Sequence, residues 1–278
     1  MTFPDLSALP PVTERRGTAP DTYADELRSV IEAAITNAPR SQQTAIGPSE
    51  IGHPCDRRLG YRLLGTDKVN DTPGWRPTVG TAVHDWLAST FTEANAAWRE
   101  QTGQTGTRWL VEHRVDVGDD ITGSCDLYDR VTRTLIDWKI VAATTLRTAK
   151  GDGPSDQYRT QVHLYGRGWT RRGLDVDTVG IFYLPSTGEL HESHLWTETY
   201  DEDVATAALA RLEQTRTLTA AFSDKALAAL TTNTPERMCR FCPWHLPAST
   251  NLAAACPGPD RTTATPGGVT TPPERTQP

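Results

Sequence analysis

The sequence has little lysine and no long apolar run. Its positive charge is carried almost entirely by arginine, and its formal net charge is −7. This balance excludes a broad basic coat for nucleic acid but leaves room for a local groove, because arginine makes forked contacts to phosphate. No apolar run approaches membrane-spanning length, and the first residues lack the basic-then-apolar order of a signal peptide. We therefore expect a cytoplasmic protein with no membrane partner. Lysine occurs only at Lys68, Lys139, Lys150 and Lys225.

Cysteine is also scarce, and one nucleotide-binding motif is missing. Five cysteines in 278 residues are too few for a secreted disulfide scaffold, and in a reducing compartment clustered cysteines indicate a metal site. The pattern G-x-x-x-x-G-K-[ST] does not occur, which excludes a helicase-nuclease that unwinds DNA with its own ATPase.

The remaining composition suits a globular α/β protein. The hydrophobic content of 37% is enough for a core. The segments RWLVEHRVDV, DITGSCDLYD and TLIDWKIV predict three successive strands, and DTVGIFYLP and ELHESHLW predict two more. Helical patterns precede the first three strands, one helix is predicted between the third and the fourth strand, and another helix follows the fifth strand. We predict a mixed central sheet flanked by helices, with a flexible segment 1–20 and a disordered tail 257–278 rich in Pro, Thr and Gly.

The segment from Gly123 to Lys139 carries the strongest chemical signal. It places Asp126 in one predicted strand and Asp137 and Lys139 two residues apart in the next. Residues i and i+2 of a strand project to the same face, so Asp137 and Lys139 share a face while Trp138 packs on the other. Two carboxylates that hold a divalent cation beside an ammonium group form the minimum apparatus for cutting a phosphodiester. The alternative is a surface salt bridge on a hairpin.

Two further residues are candidates for the same site. His84 lies beside the apolar stripe of a predicted helix, where it is either a solvated or core-flanking histidine or a third metal ligand. Glu112 lies on the first predicted strand and can face the same cleft as Asp126, but a salt bridge with Arg114 explains it equally well. We rank Glu112 below the other acids.

The helical segment 157–172 contributes a further pair. Gln161 and Tyr165 stand at i and i+4 and share one helix face. The alternative reading is a helix that buries its aromatic side chains.

The C-terminal region holds a second signal, in CRFCPWHLPASTNLAAAC. Cys239 and Cys242 have C-x2-C spacing, and Cys256 follows after thirteen residues. The fourth ligand is Cys55, or else His245 in a local zinc knuckle, and thiolate chemistry suits zinc and iron-sulfur clusters alike. The fifth cysteine, Cys125, is expected to be a small buried hydrophobe.

The order of these signals is more specific than any one of them. A helical His84, G-x-x-D ending at Asp126, D-x-K ending at Lys139 and Q-x-x-x-Y ending at Tyr165 resemble the RecB-like branch of the PD-(D/E)XK nuclease superfamily. With one cysteine upstream and three downstream, the chain resembles the iron-sulfur exonucleases of the CRISPR-associated Cas-four group and the nuclease domain of AddB, and it is most similar to the stand-alone versions carried by phages of high-GC bacteria. The resemblance covers roughly residues 47 to 258. It departs in one respect, because the gap between Cys242 and Cys256 is longer than usual.

The resemblance implies a fold, an activity and a set of ligands. It implies one restriction-endonuclease-like domain over residues 21–256 and a metal-dependent DNA exonuclease in recombination, repair or replication. His84, Asp126, Asp137 and the Trp138 carbonyl would bind Mg²⁺ or Mn²⁺, and Lys139 would orient the attacking water. Gln161 and Tyr165 would contact the DNA backbone. Four cysteines would bind a 4Fe-4S cluster that joins segments with few other contacts: Cys55, Cys239, Cys242 and Cys256.

The resemblance also implies partners and leaves one competing function. The expected partner is DNA, single-stranded or with free ends, together with a recombinase, a helicase or a CRISPR adaptation protein. The expected location is the cytoplasm, that of the bacterial host if a phage encodes the chain. The competing function is a non-catalytic module of the same fold that binds nucleic acid or a protein and carries a structural zinc or iron-sulfur site. Two carboxylates facing phosphate argue against a pure binder, because they repel DNA unless a metal lies between.

Overall fold

A computed structural model describes residues 20–38, 45–70, 74–232 and 234–259. These residues form two compact units, of which residues 20–38 with 74–75 make the first and all others the second. Residues 1–19 of the predicted flexible segment and 260–278 of the predicted disordered tail lie outside the described residues. The predicted domain limits stay a prediction. No helix in the described ranges has both the length and the apolar character needed to cross a membrane.

Helices precede and follow a five-stranded sheet. The first unit contains α1 (Pro20–Asn37). The remaining elements, in chain order, are α2 (Pro48–Ile51), α3 (Asp56–Leu63), α4 (Trp75–Thr102), β1 (Trp109–Gly118), β2 (Ile121–Asp129), β3 (Thr134–Val141), α5 (Ala143–Asp152), α6 (Asp156–Arg171), β4 (Thr178–Pro185), a 3-10 turn (Leu190–Glu192), β5 (His194–Thr199), α7 (Glu202–Phe222), a second 3-10 turn (Ser223–Ala228) and α8 (Glu236–Cys239).

The sheet is mixed, as predicted. β1, β2 and β3 form the predicted antiparallel meander, β4 runs parallel to β3, and β5 closes the edge antiparallel to β4. A parallel pair needs a crossover connection, which α5 and α6 supply. The prediction of one helix at this point was wrong. It missed α5 because that helix buries only Leu146 and Ala149 and so shows no long apolar stripe.

Helices cover both faces of the sheet. α6 and α7 pack on one face and form the main core, which contains Leu135, Trp169 and Leu212. α4 packs on the other face, where the ring of Phe91 stacks on Trp138 with centroids 5.4 Å apart. The alternation predicted for β3 is confirmed, since Trp138 faces α4 while Asp137 and Lys139 face α6.

β1 and β2 change faces at one cross-strand position. Val111 pairs with Leu127 and His113 with Cys125, so Glu112 and Asp126 lie between these two pairs. Leu127 packs toward α4, whereas Cys125 two residues earlier belongs to the main core. Glu112 has a left-handed φ of 50°, which is rare for a residue other than glycine and interrupts the regular alternation. The pair Glu112 and Asp126 therefore lies where the strands turn from one core to the other.

α3 and the C-terminal segment share a smaller second core. The rings of Tyr61 and Trp244 stack with centroids 5.8 Å apart, and Leu227 packs with them. Tyr61 Oη donates to the carbonyl of Leu252 at 2.6 Å, and Trp244 Nε1 donates to the carbonyl of Thr66 at 2.9 Å. The expectation that these segments share few contacts besides a metal cluster was wrong. Buried aromatic surface and hydrogen bonds already join them, and the spacing of cysteines carries no information about either.

Gly123 of the G-x-x-D motif permits a close approach of α2 and α6 to β2. A Cβ at this position would lie 2.7 Å from Cδ of Pro48 and 3.0 Å from Cε1 of Tyr165. Both neighbours are ring atoms of packed residues, so neither can move aside easily. A residue without a Cβ is therefore required at this position of β2, because α2 and α6 pack directly against it.

We predict that Gly123→Ala lowers the free energy of unfolding by about 1–3 kcal/mol through overpacking. The matched control is Gly151→Ala, because a Cβ at Gly151 in α5 would meet no atom within 4 Å. That control should be neutral or slightly stabilising. Urea unfolding of both variants provides the measurement, and equal effects would contradict the packing role of Gly123.

Candidate active site

β3 brings Asp137 and Lys139 together on the face that it turns toward α6. Nζ of Lys139 lies 2.5 Å from Oδ2 of Asp137 as an ion pair. Asp137 is only 2% exposed, so this pair is not the surface salt bridge of the alternative reading. A buried ion pair is stable only with good geometry and further hydrogen bonds.

α6 supplies those further contacts. Gln161 Nε2 donates to Oδ1 of Asp137 at 2.9 Å, and Lys139 Nζ donates to Oε1 of Gln161 at 3.2 Å. Gln161 Nε2 also lies 3.5 Å from Oη of Tyr165, and both residues are buried. Nζ of Lys139 additionally lies 4.7 Å from the ring centroid of Tyr158, a cation-π distance. The contact of Gln161 and Tyr165 with DNA stays a prediction.

Asp126 links this network to α4. Its Oδ2 accepts a hydrogen bond from the backbone N–H of Trp138 at 2.7 Å, and its Oδ1 lies 3.3 Å from Nδ1 of His84. The ladder between β2 and β3 ends at the pair Leu127 and Ile136, so the carboxylate takes up an amide that the ladder no longer pairs. The imidazole of His84 thus points at the carboxylates. The Trp138 carbonyl as a metal ligand stays a prediction.

Glu112 joins this group from β1. One ligand atom each of His84, Glu112 and Asp126 all lie within 4.8 Å of one another. The salt bridge between Glu112 and Arg114 stays a prediction, and Arg114 donates to the Thr122 hydroxyl at 2.5 Å. Imidazole nitrogen and carboxylate oxygen are suitable ligands for Mn²⁺, and carboxylates also suit Mg²⁺. The residues present therefore fit a divalent cation.

The pKa values reflect burial and close charges. Burial raises the pKa of the Asp137 carboxyl to about 6, a rise that Lys139 opposes and Asp126 reinforces. Burial alone would lower the pKa of the Lys139 ammonium. The Asp137 carboxylate has the larger effect, so the pKa of the ammonium is raised. Burial likewise opposes protonation of His84, but its hydrogen bond to Asp126 and the charges of both aspartates outweigh it and raise the pKa of the imidazole. The site is rich in negative charge that a cation would balance.

The four cysteines of the predicted cluster line one cavity of about 20 Å³ between α3 and the C-terminal segment. Cys55 opens α3, where its Sγ accepts from the amide of Arg58 at 3.4 Å. His245 and His53 line the same cavity. Cys125 lies in the main core instead, as predicted. The cavity lining brings together Cys55, Cys239, Cys242 and Cys256.

Three of the four cysteines of this cavity are buried, and Cys242 is half-buried. Burial raises the pKa of Cys55 to about 11, and the neighbouring cysteines add to the rise. Within the described ranges, no three cysteine or histidine ligand atoms of this cavity lie within 4.8 Å of one another. Tetrahedral zinc with Zn–S bonds of about 2.3 Å holds its sulfurs about 3.8 Å apart. The described residues of this cavity therefore do not form a preformed tetrahedral zinc site.

Sequence reasoning missed two neighbours of these sites. Tyr158, against the ammonium of Lys139, stands three residues before Gln161 and so on the same helix face, a signal that the sequence contained. His53 lies two residues before Cys55, and its Nδ1 accepts from the Cys55 amide at 3.2 Å. Burial, with help from the charges of Arg58 and Arg211, lowers the pKa of His53 to about 4, so the ring is neutral. No signal beyond proximity to a candidate ligand would have found it.

Comparisons with known proteins give weak structural similarity alone. No protein-family model and no curated protein matches the chain. An alkaline exonuclease, LHK-Exo from Laribacter hongkongensis, is 14% identical over 72% of this chain and 99% of that chain, with a TM-score of 0.43. LHK-Exo in complex with dAMP is 12% identical over 62% of this chain and 89% of that chain, with a TM-score of 0.35. A phage-related exonuclease from Haemophilus somnus 129PT is 14% identical over 45% of this chain and 65% of that chain, with a TM-score of 0.31.

The chain thus spans 65% of the length of the phage-related exonuclease. At these TM-scores the similarities carry no argument about function. The function has to follow from the residues of the chain itself.

We predict that Lys139→Met destabilises the metal-free protein, because it leaves the buried Asp137 without its cation. The loss should reach about 3 kcal/mol near pH 8. It should shrink toward pH 5, because a carboxyl whose folded pKa exceeds its unfolded pKa loses its destabilising charge as pH falls. Unfolding in EDTA at both pH values measures this.

The control for this prediction is the double variant Asp137→Asn with Lys139→Met, which carries no buried charge at this pair. It should regain most of the stability and lose the pH dependence. An equal loss for Lys139→Met at both pH values would show that the carboxylate is not the origin of the effect.

Proposed function

We propose that the chain is a metal-dependent DNA exonuclease that hydrolyses phosphodiester bonds. The observation that carries the proposal is the connected network of Asp126, Asp137 and Lys139 with Gln161 and His84, drawn from β2, β3, α6 and α4. A structural salt bridge needs none of the additional acids and no imidazole. Hydrolysis of a phosphodiester uses each of them.

Each residue has a role in this proposal. His84, Asp126 and Asp137 hold Mg²⁺ or Mn²⁺. When bound, the cation polarises the phosphate and lowers the pKa of a water molecule at the site. Lys139 is fully charged, and its ammonium orients the attacking water and stabilises charge that develops on the phosphate. Gln161 fixes Asp137 and Lys139 relative to each other through one side-chain amide.

A non-catalytic binding module is the competing function, and the charges argue against it. A binder of DNA gains nothing from carboxylates near the phosphate, because like charges repel. A partner-binding module would not need an ammonium with three partners in a buried network.

We predict that Asp126→Asn and Asp137→Asn each lower DNA cleavage by about a hundredfold or more, since each removes a charged ligand and little volume. End-labelled linear DNA with Mn²⁺ or Mg²⁺ gives the rate, and covalently closed circular DNA tests for the requirement of an end. Glu93→Gln is the matched control, because Glu93 is an exposed acid of α4. Near-normal cleavage by either aspartate variant would refute the site, and cleavage of closed circles would refute exonuclease action.

We further propose that Cys55, Cys239, Cys242 and Cys256 bind a 4Fe-4S cluster. Support comes from the four thiols lining one cavity, since thiolates are the ligands of iron-sulfur clusters. The role is structural, because the cavity is formed by α3 and the C-terminal segment, whereas the carboxylates belong to the sheet. Metal binding has to displace protons from buried thiols, so loading favours higher pH.

We predict that Cys55→Ala removes iron, sulfide and visible absorbance from anaerobically purified protein. Cys125→Ala, which changes the one cysteine outside the cavity, should keep all three. A local zinc knuckle of Cys239, Cys242, His245 and Cys256 predicts instead a colourless wild type with one equivalent of zinc and a nearly silent Cys55→Ala. Iron, zinc and sulfide analysis of the three proteins decides between the two.

A further inference from the structure

We infer that Glu112 is a protein ligand of the divalent cation held by His84 and Asp126, a role that neither the motifs nor the resemblance assigns to it. The inference rests on the proposed metal-dependent function and names a further residue of that site. With Asp137 of the proposed function, the cation of this inference has one nitrogen and three carboxylate ligands, a set that favours Mn²⁺.

The separations of the three ligand atoms carry the inference. All three lie within 4.8 Å of one another. Octahedral ligands at about 2.1 Å from a cation lie about 3.0 Å apart when adjacent and about 4.2 Å apart when opposite. Small side-chain adjustments therefore suffice for His84, Glu112 and Asp126 to share one ion. In the part of the chain that the structure describes, this is the one group of three or more such residues with that convergence.

The occupied oxygens of the aspartates support the same conclusion. Oδ1 of Asp137 accepts from Gln161, whereas Oδ2 is in the ion pair with Lys139 and accepts no hydrogen bond from the described residues. Oδ2 of Asp126 accepts from the Trp138 amide, which leaves Oδ1 directed at His84. A cation beside Asp126 Oδ1 therefore lies next to His84 and Glu112, with Asp137 as the further ligand that the proposed function assigns.

The position of Glu112 in the sheet explains how a strand residue reaches the site. Glu112 and Asp126 lie between the register pairs of Val111 with Leu127 and of His113 with Cys125, and like charges at facing cross-strand positions repel. Glu112 is exposed and Asp126 is buried, so solvent does not fully screen the pair. A cation between the two carboxylates turns this repulsion into attraction.

Mn²⁺ binding to the DNA-free protein, measured by titration calorimetry, tests the inference without relying on cleavage. Glu112→Gln keeps the size of the side chain and removes its charge, and it should weaken Mn²⁺ binding by at least about tenfold. Glu93→Gln in α4 is the matched control and should bind Mn²⁺ as the wild type does. Glu112→Gly is a second variant, because glycine adopts the left-handed φ at this position without strain.

The outcomes separate this inference from the proposed function. Unchanged Mn²⁺ affinity in Glu112→Gln and Glu112→Gly, with wild-type cleavage intact, overturns the role of Glu112 and leaves the nuclease proposal standing. Weakened affinity in both variants, with unfolding midpoints in EDTA at or above that of the wild type, supports it even if the wild type cleaves no DNA. A wild type that binds no Mn²⁺ overturns both.

Discussion

The ion pair of Asp137 and Lys139 is the contact on which the site depends. Both groups lie on the face of β3 that packs against α6, and desolvation there disfavours each charge alone. The pair persists because Gln161 hydrogen-bonds both members and Tyr158 places its ring against the ammonium. α6 is therefore tied to the sheet by polar contacts as well as by its apolar face. A loss of this helix packing would release the two charges to solvent and disperse the site.

The part of the site on β3 could be predicted from the sequence because it depends on local geometry. The two-residue repeat of a strand fixes which face Asp137, Trp138 and Lys139 take, and the helical repeat does the same for Gln161 and Tyr165. The mixed sheet and its helical cover follow from the same periodicities. These predictions needed no knowledge of tertiary contacts.

The parts that the sequence could not yield depend on departures from periodicity. Glu112 ranked low because a regular strand gives no reason for it to meet His84, a residue of a distant helix. The left-handed backbone at Glu112 and the change of faces at Asp126 create that meeting, and glutamate carries no sequence signal for such a conformation. The second core of Tyr61 and Trp244 escaped prediction for a related reason, since it joins segments far apart in the chain.

The charges of the site also order the events of the proposed reaction. Asp126 and Glu112 converge with His84, and the ammonium of Lys139 on β3 is already paired with Asp137. A DNA phosphate that approached this group alone would meet net negative charge in a partly desolvated setting, where repulsion is strong. On the proposed function, the divalent cation therefore binds before the phosphate does. The same charge that makes the metal-free site hostile to DNA makes it a good site for the cation.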